Sequence, residues 1–266
     1  MPENLVLLHG FAGTHRAWDG VIAALAREPR PPERYRPLAL DLPGHGTEAH
    51  APRPITFAAC VEHVLARERT SVHEDGAPPG PTPPSPQGEG GRFALCGYSL
   101  GGRLALHVAL AAPERVSRLV LVSTSPGIED ARERAARRAA DERLARELEG
   151  EPFEQFIERW RAQPLFAGEP PEAAALARDD QRRNRPDALA AVLRGLGAGQ
   201  MQPLWQRLGE LRMPVTVVAG ERDRKYAALG RRAAAALPDG ELVILPGGHG
   251  LALESPAALA RVLARA

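Results

Sequence analysis

The sequence predicts an α/β protein with a mostly parallel central sheet and helices on both faces. Short apolar runs of strand length alternate with helix-like segments along most of the chain. One of these runs, Arg92-Phe93-Ala94-Leu95-Cys96, passes through Gly97-Tyr98-Ser99-Leu100-Gly101 directly into a helix-like run, a strand–turn–helix unit. At 266 residues and 44% hydrophobic content, one sizeable domain can bury its own core.

Taken in order, Leu5–His9 reads as the first strand. A glycine-bearing turn follows it at His9-Gly10-Phe11-Ala12-Gly13, then a helix over His15–Ala26. Pro37–Asp41 is the second strand, running into Asp41-Leu42-Pro43-Gly44-His45-Gly46. Gly76–Gly91 is out of character: proline removes donors, glycine raises the entropy cost of ordering, and almost nothing there is apolar. It reads as a disordered or polyproline-like surface loop, with a ligand for a proline-recognising partner as the alternative. Phe93–Gly97 and Leu119–Ser123 are the third and fourth strands, with a helix from Gly102 to Ala112 between them. From Pro126 to Arg212 the pattern is helical and charged, with no strand signal, as expected of a lid inserted at a strand's carboxyl end. Val215–Ala219 and Leu242–Leu245 complete the sheet. The expected organisation is therefore a core of residues 1–125 and 213–266, interrupted by a helical lid over 126–212.

The chemistry is carried by three of the loops. Gly-x-Ser-x-Gly between strand and helix is the sequence of a nucleophile elbow, which lifts the Ser99 hydroxyl to a helix N-terminus where developing negative charge is favoured. A serine hydroxyl needs a histidine to take its proton, and the histidine needs an acid to orient it. The fifth strand ends in Gly220-Glu221-Arg222-Asp223 and the sixth in Pro246-Gly247-Gly248-His249-Gly250. Of eight histidines, only His249 lies beyond that acid and just after a strand. Asp223 is preferred to Glu221 because it sits deeper in the loop. The backbone N–H groups of Phe11 and Leu100 are the expected oxyanion donors, with His9 as a structural hydrogen-bonding residue.

These residues resemble the α/β-hydrolase fold over nearly the whole chain. Leu8-His9-Gly10-Phe11, Asp41 to Gly46, the Ser99 elbow, Asp223 and His249 carry that resemblance. A narrower one rests on Gly101-Gly102-Arg103, Glu133-Arg134-Ala135-Ala136-Arg137, Trp160 with Gln163-Pro164-Leu165-Phe166-Ala167, and Gly220 to Tyr226. Together these segments are similar to the 2-succinyl-6-hydroxy-2,4-cyclohexadiene-1-carboxylate synthase family of menaquinone biosynthesis.

Arg103 lies four residues after Ser99, on the same helix face. A cation in a first helical turn opposes the macrodipole at a cost of a few tenths to about 1 kcal/mol, which an anionic substrate group would offset. The alternative is a salt bridge to a lid carboxylate. Spacing alone assigns Arg137 to a solvated face with Glu133 and Asp141, whereas the resemblance implies a substrate-carboxylate arginine at that position. Trp160 falls on a helical stripe with Phe153, Phe156 and Ile157, so it is first a packing residue, with an indole N–H that could reach a ligand. Tyr98 sits beside the serine, with packing and substrate binding both open to it. The resemblance also implies a further lid arginine ahead of an Asn-Pro-like turn; in Gln181-Arg182-Arg183-Asn184-Arg185-Pro186 the register is shifted, and Arg182 is the nearest residue.

The family implies a lyase that expels pyruvate from 2-succinyl-5-enolpyruvyl-6-hydroxy-3-cyclohexene-1-carboxylate, a substrate with three carboxylates, using the Ser-His-Asp set as a base. The alternative is a serine hydrolase of small esters, thioesters or C–C bonds; a non-catalytic binding protein is disfavoured by the intact triad. A net charge of +1 implies no nucleic-acid partner, and no apolar run is long enough to cross a bilayer. Met1-Pro2-Glu3 leads straight into a strand rather than a signal peptide. Two cysteines, Cys60 and Cys96, read as unpaired core residues of a cytoplasmic protein. No metal or cofactor motif is present. Monomer and homo-oligomer both fit the sequence.

Overall fold

The computed structural model describes residues 2–28, 34–71 and 91–265. The loop expected at 76–91 lies, but for its last residue, outside them. Six strands form one parallel sheet in the order β2-β1-β3-β4-β5-β6: β1 (Glu3–Leu8), β2 (Tyr35–Leu40), β3 (Phe93–Tyr98), β4 (Val116–Val122), β5 (Val215–Gly220) and β6 (Gly240–Leu245). All six coincide with the expected strands, several beginning earlier because polar residues such as Asn4 and Arg36 extend the ladder in register.

Alternation along the strands explains why both faces are covered. Val6, Leu8, Leu95, Leu119, Leu121 and Val217 point to one side, where the sheet is covered by helices α2 (Phe57–Ser71) and α3 (Leu100–Ala111) and, at Val217, by the helix over Arg224–Ala236. Leu5, Leu7, Cys96, Val120, Val122 and Val218 point to the other and meet α1 (Asp19–Leu25) and the C-terminal helix at Pro256–Ala264. Cys60 and Cys96 are free and buried, and burial pushes both thiols up, Cys60 to about 12, which makes them inert. The helix expected over His15–Ala26 is split: a 3-10 turn at His15–Trp18, capped by the Thr14 hydroxyl, precedes α1.

Strand order reverses at β1, so β1 and β3 lie side by side while their connections run to opposite halves of the sheet. Ligand crevices of open α/β sheets form at the carboxyl ends beside such a switch. Between β4 and β5 the chain inserts α4 (Ala131–Gly150), α5 (Phe153–Arg161), α6 (Pro171–Gln181) and α7 (Pro186–Leu196). Leu148, Phe156, Leu189 and Leu193 form a core for this insertion, and Ala12 from the turn after β1 joins it. The helical insertion is thereby docked on the loops at the carboxyl end of the sheet. None of the helices in the described residues is long and apolar enough to cross a membrane.

Candidate active site

β3 ends at Tyr98 and α3 begins at Leu100, so Ser99 alone makes the turn. Its backbone (φ 53°, ψ −107°) is a strained conformation for a residue with a side chain. The strain is held by bonds on both sides: the Ser99 N–H donates to Val122 O (2.9 Å), and the Ser99 carbonyl accepts from the Thr124 hydroxyl (2.8 Å) and the Arg103 N–H (3.1 Å). The flanking glycines are steric necessities. A Cβ at Gly97 would lie 2.3 Å from Gly101 O, and one at Gly101 would lie 2.3 Å from Leu8 O.

The loops after β5 and β6 converge on this serine. His249 Nε2 lies 3.2 Å from Ser99 Oγ, and His249 Nδ1 lies 2.7 Å from Asp223 Oδ2. The second oxygen of Asp223 accepts from the Tyr226 N–H at the start of α8 (Arg224–Ala236) (3.3 Å). His249 and Asp223 are buried, whereas Glu221 is exposed. The rings of Tyr98 and Tyr226 flank the imidazole at 5.4 and 4.7 Å.

The turn after β1 closes the other side. His9 is fully buried; it accepts from the Leu42 N–H at Nε2 (3.0 Å), so Nδ1 carries the proton and donates to Gly10 O (2.8 Å). Burial lowers its pKa and keeps the ring neutral, as that pairing requires. Two α6-end side chains bind the same turn: Asp180 accepts from the Thr14 N–H (2.8 Å) and hydroxyl, and Asn184 donates to Ala12 O (2.8 Å). Phe11 and Leu100, the residues with the expected oxyanion N–H groups, both line the cleft at Ser99.

Asp41 ties this turn to the loop after β2. Its carboxylate accepts from the His15 N–H (2.7 Å), the Thr47 N–H (2.8 Å) and the Thr47 hydroxyl (2.8 Å), with His15 Nδ1 at 3.0 Å. Burial alone would raise its pKa, but these bonds outweigh burial and take it from 3.8 to about 2. The folded carboxyl thus titrates below the unfolded one. Its contribution is complete above about pH 4 and is lost as pH falls from there toward 2. Asp41→Asn should cost about 2 kcal/mol in urea unfolding at pH 7, and the gap from wild type should shrink on acidification. A gap independent of pH would assign the loss to packing.

The cleft above Ser99 encloses about 720 Å³, counting its open mouth. Among the described residues, Arg103 and Arg137 are the charged ones that line it. The Arg103 guanidinium donates to Leu196 O (2.9 Å), the end of α7, rather than to a lid carboxylate. Burial pushes its pKa down to about 10, which still leaves it protonated at neutral pH. Arg137 combines both of its expected settings: it lines the cleft, and its Nε pairs with Asp141 Oδ1 at 2.8 Å. Trp160 forms a cleft wall edge-to-face with Phe11 (5.0 Å) while its helix neighbours Phe156 and Ile157 are buried.

Two sequence-based site residues lie elsewhere. Arg182 is outside the cleft: its exposed guanidinium pairs with Glu154 and Asp179 on the surface of the insertion. Its guanidinium is taken up by those two carboxylates, and the structure does not bring it to the cleft where the sequence reading expected it. Tyr98 lines a smaller neighbouring cavity behind Phe11 and Trp160, where its ring also supports Gly10; a Cβ there would be 2.7 Å from Tyr98 Cε1. Conversely, Tyr226, Thr124, Ser125 and Gln163 line the cleft without having been singled out as site residues. For Tyr226 the signal was present, three residues after the acid at a helix start; the others depend on tertiary placement.

The family model of the alpha/beta hydrolase family matches residues 5–262. A protein of Enterobacter sp. (strain 638) named 2-succinyl-6-hydroxy-2,4-cyclohexadiene-1-carboxylate synthase is 34% identical over 265 residues, covering 98% of this chain and 90% of its own length. The protein of the same name from Salmonella paratyphi A is 31% identical over 262 residues, covering 98% and 92%. A solved structure described as MenH from S. aureus superposes with a TM-score of 0.83 at 28% identity, covering 98% of this chain and 92% of that one. With an elbow serine between a converging histidine loop and a cationic cleft, and with full-length relatives of this kind, the chain belongs to the alpha/beta hydrolase family and, within it, to the 2-succinyl-6-hydroxy-2,4-cyclohexadiene-1-carboxylate synthases.

Proposed function

We propose that this protein is a cytoplasmic carbon–oxygen lyase of menaquinone biosynthesis. It eliminates pyruvate from 2-succinyl-5-enolpyruvyl-6-hydroxy-3-cyclohexene-1-carboxylate to give 2-succinyl-6-hydroxy-2,4-cyclohexadiene-1-carboxylate. The observation that carries this reading is the charge of the cleft. Among the described residues, its charged lining groups are two guanidinium groups, and Arg103 makes no ion pair. A part-buried cation facing an open cleft is a binding element for an anion. A neutral ester gives it nothing to pair with, whereas a substrate with three carboxylates does.

In this reading Ser99, its proton drawn by His249 Nε2, takes the ring proton next to the succinyl carbonyl. The N–H groups of Phe11 and Leu100 stabilise the enolate oxygen. The enolate then pushes out the C–O bond to the enolpyruvyl group. His249 returns a proton to the departing enolpyruvate, which leaves as pyruvate, and the carboxylate of Asp223 balances the imidazolium in between. No acyl-enzyme forms, and no water is consumed. The test is pyruvate release from the enolpyruvyl substrate by purified protein, beside p-nitrophenyl ester hydrolysis. Rapid pyruvate release with slow ester turnover is expected; the reverse would assign the triad to hydrolysis.

A further inference from the structure

Ser99 and Asp223 each stand immediately before a helix, whereas His249 lies inside the loop between β6, which ends at Leu245, and α9 (Leu251–Glu254), which begins two residues past the histidine. Its side chain is oriented by Asp223, but something must hold the backbone from which it projects. The N–H groups on either side of His249 both point to one side chain. Gly248 N donates to Glu254 Oε2 (2.9 Å) and Gly250 N to Glu254 Oε1 (3.1 Å). The carboxylate is buried, 3% exposed, and is balanced by the guanidinium of Arg222, the residue before the triad acid. Arg222 grips the same loop a second time, its N–H donating to Gly247 O (3.0 Å).

We propose that Glu254 is a positioning residue for His249, and that with Arg222 it locks the histidine loop to the acid loop. One carboxylate with both oxygens committed to N–H groups that bracket a single residue fixes that residue's place and tilt, which a single bond would not do. The loop is built around this contact. A Cβ at Gly248 would stand 3.0 Å from Glu254 Oε1, so the carboxylate needs the glycine in order to approach. Gly220 at the end of β5 serves the same closeness, since a Cβ there would lie 2.1 Å from Gly248 O. The Arg222 pairing runs alongside the Asp223–His249 bond and keeps the two loops in register while protons move.

This inference rests on the triad reading but on neither substrate, so the test uses a fluorophosphonate, a reagent that labels an activated serine directly. Glu254→Gln keeps the shape but offers one acceptor in place of two. Its labelling rate, normalised to folded protein, should fall roughly tenfold, and Glu254→Ala roughly a hundredfold, the scale of an ångström-sized misplacement. On the turnover substrate kcat should fall with KM little changed. Arg222→Met, at a half-exposed position that leaves the two Glu254 bonds in place, should remain folded, with a lower melting temperature because the buried carboxylate loses its counter-charge, and lose several-fold in labelling per folded molecule. Glu254→Asp, one methylene shorter, should not rescue. Wild-type labelling per folded molecule in Glu254→Gln and Arg222→Met would overturn the proposal, as would a rise in KM at constant kcat. Failure of the wild type to label at Ser99 at all would instead overturn the triad reading beneath it.

Discussion

Ser99→Ala and His249→Ala should each lower kcat by at least about a thousandfold, and combining them should cost little more than either alone, because residues that act as one unit lose their function together. The separations of 3.2 Å and 2.7 Å set the chain of contacts in series, so breaking either contact disables proton transfer. The same measurement assigns the acid. Asp223→Asn keeps the shape but presents an amide to His249 Nδ1, favouring the wrong tautomer, and should fall in the same range. Glu221→Gln, at an exposed position, should stay within several-fold of wild type. Steady-state kinetics on the four variants, with thermal melting to show that each is folded, checks this. The reverse ranking of Asp223 and Glu221 would move the acid by two residues, and near-wild-type turnover of Ser99→Ala would remove the elbow from the chemistry.

The loops were legible in the sequence because their constraints are local. Gly97 and Gly101 are required by contacts of 2.3 Å around the serine, and such positions announce themselves as glycine whatever surrounds them. The central strands were legible because they are buried on both faces, which writes a continuous apolar run, whereas the edge strand β6 is partly exposed and shows only the short run Leu242–Leu245. What the sequence could not convey depends on rotation about helix axes and on partners distant in the chain. Arg182 and Arg137 both sit on charged helices of the insertion, each with carboxylates at helical spacing, yet one faces solvent and the other the cleft. No sequence motif marks Glu254, and only the return of the β6 loop over it gives its two oxygens their partners. Gln163 reaches the cleft through the docking of the insertion on the sheet, and Thr124 through the pairing of β4 with β3, which sets it against the elbow; no local pattern encodes either.

Substitution of the arginines would separate an anionic substrate from a neutral one, and their surroundings differ. Arg103 donates to one backbone carbonyl and, among the described residues, makes no ion pair, Asp141 acting on it only at longer range, so a substrate carboxylate would find donors available. Arg103→Ala should lose a charge-assisted bond worth about 1.5–3 kcal/mol, or roughly a tenfold to hundredfold drop in kcat/KM for pyruvate release. Ester hydrolysis should be nearly unchanged, and stability should move little because the residue faces the cleft rather than a core. Lysine at 103 should recover only part of the loss, since an ammonium lacks the planar fork. Arg137 should contribute less: its side chain is 40% exposed, which screens the interaction, and it already shares its charge with Asp141. Its removal has a separate cost, because Asp141 is 1% exposed and would keep only the Gly199 N–H at 3.3 Å as a partner. The single variant Arg137→Ala would thus mix lost binding with lost stability. Pairing Arg137→Met with Asp141→Asn removes the stranded charge and leaves the binding term alone. Both sets are read as pyruvate release and p-nitrophenyl ester hydrolysis measured side by side on the same preparations. Equal losses on the two substrates would make the arginines structural struts for the insertion. A loss confined to the carboxylate substrate, larger for Arg103 than for Arg137, is the outcome expected of a cleft whose charged lining among the described residues is these two guanidinium groups.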